Sequence, residues 1–366
     1  MGNKIPWSVP EVSTDELNEI KNSFEADWLT MGPKVKEFES LLANYLNVKH
    51  AVAVSNGTDA IDIALMAKGI KHGDEVIIPA MTYFSTGACV NRVGAIPVYI
   101  DICEKTWNLN SNLIEDAITE KTKGIIFIDY GGNPSDIDSI LNIAKRNNLF
   151  VIQDAAQSLG GMYKNMPLGA QAEISTMSFH MAKILATVEG GMIFTHDDSI
   201  YEELKLYRNH GESKKYIHER LGTNARMTDI TAGIGISQFK KLDKFLEKRK
   251  EAAELYDKYF SENALITKPE CIYQNSQNAN FLYSICVPDR KKVEAKLQQE
   301  GIDYRICYPM PLYKQPLYNL ENINCRYLDC PVTEKICAGT ISLPMFPSIK
   351  ESEIEKITET VISAIK

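Results

Sequence analysis

Between residues 51 and 195 the chain alternates short β-branched runs with longer stretches of helical period, and few folds accept that rhythm. Ala51–Val54, Glu75–Pro79, Ile96–Asp101, Gly124–Asp129 and Leu149–Asp154 read as strands, and Thr58–Met66, Ser85–Arg92, Ser111–Ile118 and Asp136–Arg146 as the helices between them. Strands linked through helices run parallel, by right-handed crossovers, so the pattern predicts an α/β fold: a mainly parallel central sheet flanked by helices. After Asp154 the rhythm changes. Ser175–Phe179 and Gly191–Thr195 read as strands separated by a short segment that carries a lysine and ends in Glu-Gly-Gly. A long helix is expected over Asp229–Tyr259, with Ile236, Phe239, Leu242 and Phe245 at helical spacing and the charged stretch Lys240–Glu251 as a solvated face. Beyond it, Phe281–Val287 and Thr340–Leu343 read as strands, and Lys291–Glu300 and Glu351–Lys366 as helices, which suits a smaller C-terminal α+β domain. The expected division is a large domain with an N-terminal arm over 1–248 and a small domain over 249–366.

Composition excludes several function classes. A formal net charge of −8 leaves no dominant basic footprint, which argues against a nucleic-acid or anionic-membrane partner. No apolar run is long enough to span a bilayer, and Met1–Pro10 lacks the features of a signal peptide, so a cytoplasmic protein is expected. None of the 8 cysteines forms a C-x-x-C pair; free thiols are expected, with no metal site.

Ligands of a doubly wound sheet gather beyond the carboxyl ends of its strands. The first such turn is Ser55-Asn56-Gly57-Thr58-Asp59 ahead of a helix, a candidate anion cup or simply a capped helix start. The dinucleotide pattern G-x-G-x-x-G is absent there, which disfavours a nicotinamide enzyme. Tyr83 follows the next strand and offers a stacking ring, unless it is a core aromatic. Asp154 closes an apolar strand, where a carboxylate needs a partner: a metal, a helix cap or a cationic ring. Ser178-Phe179-His180-Met181-Ala182-Lys183 ends the following strand. Lys183 either snorkels to water or, desolvated, is a Schiff-base nucleophile. His180 is either a packing residue or a site residue. The combination fits pyridoxal phosphate (PLP), which needs a lysine, an acid at the pyridine nitrogen, a phosphate cup and a stacking surface. Lys183, Asp154, the Gly57-Thr58 turn with Ser178, and Tyr83 offer these.

The same residues resemble the DegT/DnrJ/StrS family of sugar aminotransferases, nearly end to end. The matching segments are Ile5-Pro6-Trp7, Trp28-Leu29-Thr30-Met31-Gly32-Pro33, His50 to Thr58, Asp154-Ala155-Ala156-Gln157, Ser178-Phe179-His180-x-x-Lys183, Glu189-Gly190-Gly191 and Asn224-x-Arg226-Met227. The resemblance implies a fold-type I PLP-dependent aminotransferase, a homodimer with shared active sites. It implies Lys183 as the cofactor lysine and proton shuttle, Asp154 at the pyridine nitrogen and Gln157 at the phenolic oxygen. Thr58, Asp59 and Ser178 would hold the phosphate, with Asn224 supplied by the partner subunit, and Tyr83 would stack on the ring. Arg226, with His180 and Tyr313, is a candidate for the substrate. Departures from the family's habit stand at Gln153, Met181, Val188, Thr223, Ala225 and Tyr313, several of them where the acceptor is expected.

The expected reaction moves an amino group from L-glutamate to a keto-sugar, a nucleotide-linked 4-keto-6-deoxyhexose in amino-sugar biosynthesis. The alternatives are a non-nucleotide keto acceptor, such as a keto-acid sugar, keto-cyclitol or small phosphorylated ketone, and a PLP-binding regulator without turnover.

Overall fold

The computed structural model describes residues 4–26 and 28–365; Met1, Gly2, Asn3 and Lys366, on which parts of the terminal readings rest, lie outside them. Seven strands in chain order build the main sheet: β1 (His50–Val54), β2 (Glu75–Pro79), β3 (Ile96–Ile100), β4 (Thr122–Ile128), β5 (Phe150–Asp154), β6 (Ile174–Ser178) and β7 (Gly191–Thr195). Their spatial order is β1-β7-β6-β5-β4-β2-β3, and the two-residue strand Arg326–Tyr327 adds to the β3 edge. Pairing from β6 through β3 is parallel, whereas β7 runs antiparallel to both of its neighbours, β1 and β6. The short link from β6 to β7 leaves no room for a crossover helix, so the chain simply reverses there.

Alternate residues of each strand enter opposite cores. Ile126 and Ile152 pack with helices Gly57–Ala67 and Phe84–Arg92, while Ile125 and Val151 pack with helix Ile137–Arg146. Both faces are therefore covered, which is why these strands read as continuous apolar runs. A separate core joins helices Leu242–Phe260, Arg290–Gln299 and Glu351–Ile365 with the antiparallel pair Tyr283–Cys286 and Thr340–Leu343. Ile5 belongs to that core and bridges to Ile302.

The expected long helix is two. It breaks at Lys240–Lys241 into Asp229–Phe239 and Leu242–Phe260. The first piece is buried almost all round, and Gly235 lets the Phe38 ring approach its backbone. The second buries one face only. The bend carries Lys241 Nζ to Glu16, 2.7 Å away, and Asp15, 3.1 Å away. No Gly or Pro marks the break. Nor is Lys240–Glu251 wholly a solvated face: Arg249 is buried, its guanidinium bonded to the carbonyl oxygens of Asn280, Phe281 and Met345. The expected helix Ser111–Ile118 is a 3₁₀ turn, Ser111–Leu113, followed by the short helix Ile114–Ala117. Helices Thr14–Glu25, Pro33–Leu46, Asp198–Arg208 and Pro331–Gly339 were not expected. No described helix is long and apolar enough to cross a membrane.

Candidate active site

Carboxylates stand at the carboxyl ends of β3, β4 and β5, and their partners separate their roles. Asp101, just past β3, accepts the N–H groups of Val332 and Thr333 at 2.9 and 2.7 Å and so caps helix Pro331–Gly339. Asp129, just past β4, is fully enclosed. It accepts from Gln153 Nε2 at 2.7 Å, Ser158 Oγ at 2.9 Å and the Ser135 N–H at 3.0 Å. Burial, only partly offset by those donors, lifts its carboxyl to about 6. Asp154 is the third. Its Oδ2 accepts from the Thr86 hydroxyl at 3.0 Å and its Oδ1 from the Ala156 N–H at 3.2 Å. It caps no helix, and among the described residues no acidic, His or Cys cluster fit for a metal occurs. The cation that acts on it is Lys183. Burial raises the Asp154 carboxyl, and Lys183, Thr86 and the Ala156 N–H oppose that rise.

Lys183 lies in the tight link between β6 and β7, where its N–H donates to the His180 carbonyl at 2.8 Å. The side chain does not reach water freely. Its Nζ sits 4.7 Å from the centre of the Phe281 ring, and desolvation brings its amine down to about 8, against the smaller upward pull of Asp154 and Cys307. Gln157, Ser178, Lys183 and Phe281, with Ala155 and Ala156, line one small cavity of about 10 Å³. A groove of about 1060 Å³ lies elsewhere, along residues 260–268 and Lys335.

Gln157 is held from both ends. Its Oε1 accepts the Gly131 N–H at 2.7 Å, which turns its Nε2 toward the Tyr308 hydroxyl at 3.0 Å. The anion turn packs directly on β6: a methyl group at Gly57 would lie 2.7 Å from Ser178 Cβ. Asn56 caps the helix, its Oδ1 accepting the Asp59 N–H at 2.9 Å. The Asp59 carboxylate is turned back to Ser55 and to Asn56 Nδ2, so both its N–H and its carboxylate serve the turn itself. Gly57 and Thr58 are the first helical residues, whose N–H groups have no intrahelical acceptor. Gly191 completes the fit, since a side chain there would run into the Asn56 carbonyl. Gly191→Ala should cost about 1–3 kcal/mol by overpacking. Thermal unfolding would show it as a lower midpoint; an unchanged midpoint would mean the turn yields freely.

The remaining candidates are placed as follows. Tyr83 is the residue before helix Phe84–Arg92, exposed, with its ring 6.4 Å from that of Tyr308. His180 is exposed; its Nδ1 accepts the Ala182 N–H at 3.3 Å, which braces the lysine turn. Asn224 is exposed and its Oδ1 accepts from Arg226 Nε at 2.8 Å, while Arg226 Nη1 donates to Asn209 at 3.2 Å. Both partners of Arg226 are neutral, so its charge is not cancelled by them. Tyr313 is not drawn to this group: its hydroxyl donates to Glu334 at 2.8 Å and its ring stacks on Tyr327 at 4.3 Å. Residues unmarked in the sequence reading also reach the site, namely Thr86, Phe281 and Tyr308. Tyr308 and Phe281 arrive from beyond residue 248, too far along the chain for any local pattern to tie them to Gln157 or Lys183.

A model of the DegT/DnrJ/EryC1/StrS aminotransferase family matches residues 10–362. The pleiotropic regulatory protein of Geobacillus stearothermophilus is 37% identical over 334 residues, covering 90% of this chain and 89% of the relative. The GDP-perosamine synthase of Escherichia coli O157:H7 is 32% identical over 366 residues, covering 98% and 97%. Among solved structures, Spr1654 of Streptococcus pneumoniae in its PLP-form superposes with a TM-score of 0.92 at 28% identity, covering 99% of this chain and 98% of that one.

Proposed function

This chain belongs to the DegT/DnrJ/EryC1/StrS aminotransferase family, and we propose that it uses PLP to move an amino group from L-glutamate to a nucleotide-linked keto-sugar, a 4-keto-6-deoxyhexose. The observation that carries this reading is the meeting of Lys183, with an amine brought down to about 8, and a buried Asp154 at the carboxyl ends of adjacent strands. The GDP-perosamine synthase relative supports the choice of a nucleotide-sugar acceptor.

The residues fit the cofactor. A carboxylate offers about four acceptor positions. Asp154 receives one protein donor on each oxygen, so room remains for a ring N–H. The bare Gly57 and the Gly57–Thr58 N–H groups, with Ser178 beside them, form a cup for a phosphate. Asp59 shapes that cup through Ser55 and Asn56. Gln157 Nε2 would donate to the phenolic oxygen, Tyr83 would cover the ring, and a second copy of the chain would bring its Asn224 to the phosphate. When bound, PLP supplies a carbonyl for covalent capture of an amine and an electron-withdrawing ring that stabilises a carbanion.

The protein's own groups do the rest. Lys183, as the neutral amine, would be the nucleophile toward that carbonyl, and with a substrate amine in its place its Nζ would be the base that moves a proton. Burial raises the Asp154 carboxyl while Lys183, Thr86 and the Ala156 N–H pull it back down, and its open acceptor positions would hold the ring proton in place. Arg226, without an acid partner in its hydrogen bonds, would meet a substrate anion.

An ordinary lysine titrates near 10.4. Because Lys183 is brought down to about 8, the rate at which cofactor-free protein captures PLP should climb through pH 8 and level off above it. A midpoint in the ordinary lysine range would show that the desolvated setting is absent in solution.

The reading as a whole is tested by spectroscopy. L-glutamate added to the PLP-loaded protein should replace the visible band with one at shorter wavelength, and a panel of nucleotide-linked keto-sugars with labelled glutamate should identify the acceptor. Binding of PLP with no spectral response to any amino donor would favour a regulator, the description carried by the Geobacillus relative.

A further inference from the structure

We infer that Thr86, oriented by Thr82, is the positioning residue that holds Asp154 in its working orientation. The inference rests on the PLP reading above and goes beyond it to a residue that never needs to touch cofactor or substrate.

Thr86 and Thr82 are both almost wholly buried, at 0% and 1% exposure. The Thr86 hydroxyl lies 3.0 Å from Asp154 Oδ2 and 2.9 Å from the Thr82 hydroxyl. An ionised carboxylate only accepts, so Thr86 must donate to it, and that spends the single proton of Thr86. The bond between the two threonines therefore runs from Thr82 to Thr86. The chain of donors has one direction and ends on the carboxylate. It also fixes which oxygen is restrained: Oδ2 faces the helix, and Oδ1 faces the Ala156 N–H. With both oxygens pinned, the carboxylate cannot rotate about its Cβ–Cγ bond, and its open acceptor directions point at one place.

Position in the fold gives the pair a second consequence. Thr82 and Thr86 flank Tyr83 at the start of helix Phe84–Arg92, and the Thr86 N–H donates to the Tyr83 carbonyl at 3.1 Å. One helical turn thus sets both the candidate ring-covering residue and the brace on the candidate ring-nitrogen acid. A shift of that turn would move the two together.

The test separates this brace from mere packing by using a cofactor that has no ring nitrogen to hold. Thr86→Val keeps the β-branched shape and removes the donor. Its equilibrium dissociation constant for PLP should rise roughly tenfold or more, the scale of a lost hydrogen bond to a charged group. For 1-deazapyridoxal phosphate, wild-type and variant protein should bind alike. Thr86→Ser, which restores the hydroxyl, should return PLP affinity to near the wild-type value. Thr86→Ala gives the same comparison should the valine variant fold poorly. Equal weakening for both cofactors would make Thr86 a packing residue and overturn the inference, as would unchanged PLP affinity in Thr86→Val. Failure of the wild-type protein to bind PLP at all would instead strike the functional reading.

Discussion

Replacing Lys183 with alanine should lower transamination by at least roughly ten-thousandfold, because one side chain is asked to act as nucleophile and as proton carrier. Loss of the first role alone would slow exchange of the cofactor between amines. Loss of the second stops proton movement between carbon atoms, and His180, in the same turn, is poorly placed to replace it, since it is exposed and holds the Ala182 N–H. Small amines added to the solution should restore part of the rate, since they can replace a base but not its placement. Stability should behave differently from activity. The Lys183 amine is brought down to about 8, so below that pH folding keeps a proton on a poorly solvated group. The unfolded chain holds the proton more easily between pH 8 and the ordinary lysine range, so this group's contribution to stability rises as pH rises through 8. Alanine removes the penalty. The cofactor-free variant should therefore melt at pH 7 no lower than the wild type. Stopped-flow half-reactions and thermal melts read the two effects separately, and normal turnover in the variant would remove Lys183 from the chemistry.

Much of this architecture was legible because strands buried on both faces announce themselves. Glu75–Pro79 and Gly191–Thr195 have the bounds that their β-branched runs suggest, and the other main strands differ by a residue or two at their ends. The site was legible for a related reason. Lys183, Asp154, Gln157, Ser178 and Gly57 all stand within a few residues of a strand's carboxyl end, so the sheet gathers them without need of any distant contact. What stayed hidden depends on distance along the chain. Helix Pro33–Leu46 begins at Gly32, which has no capping side chain, and Asp229 supplies the cap from across the fold by accepting the Gly32 and Lys34 N–H groups. The same holds for Asp101 and helix Pro331–Gly339. Helix Thr14–Glu25 is the opposite case: Ser13 and Glu16 form a capping box that stood in the sequence unread. Thr86 reads only as part of helix Ser85–Arg92, since nothing in Tyr83-Phe84-Ser85-Thr86 says that its hydroxyl faces Asp154, 68 residues away. Arg226 and Asn224, by contrast, are legible as residues but not as roles, since a single chain shows only their bonds to each other and to Asn209.

Asp154→Asn should leave the fold intact and slow the reaction with glutamate by about a hundred- to a thousandfold, the range seen when one preorganised electrostatic partner of a reacting centre is removed. Asparagine has the shape of aspartate. Thr86 can still donate to the amide oxygen if that oxygen takes the place of Oδ2, so the Thr86 brace survives, while the Ala156 N–H loses its acceptor. What disappears is the negative charge. The amide nitrogen has no acceptor capacity for a ring proton, so the ring would be held neutral and its pull on electrons would fall. The carboxylate also bears on Lys183, whose amine it pulls upward against burial. Without it, the lysine should titrate below 8, and cofactor capture by the free protein should reach half of its limiting rate at lower pH than in the wild type. The two effects oppose each other in a useful way: capture becomes easier near neutral pH while the later proton transfer becomes slow. Measuring capture and half-reaction on the same preparation distinguishes a lost charge from a damaged site, because damage slows both. Near-normal kinetics with glutamate would show that some other group holds the ring proton, and the pairing of Asp154 with Lys183 would then be an ion pair of structure alone.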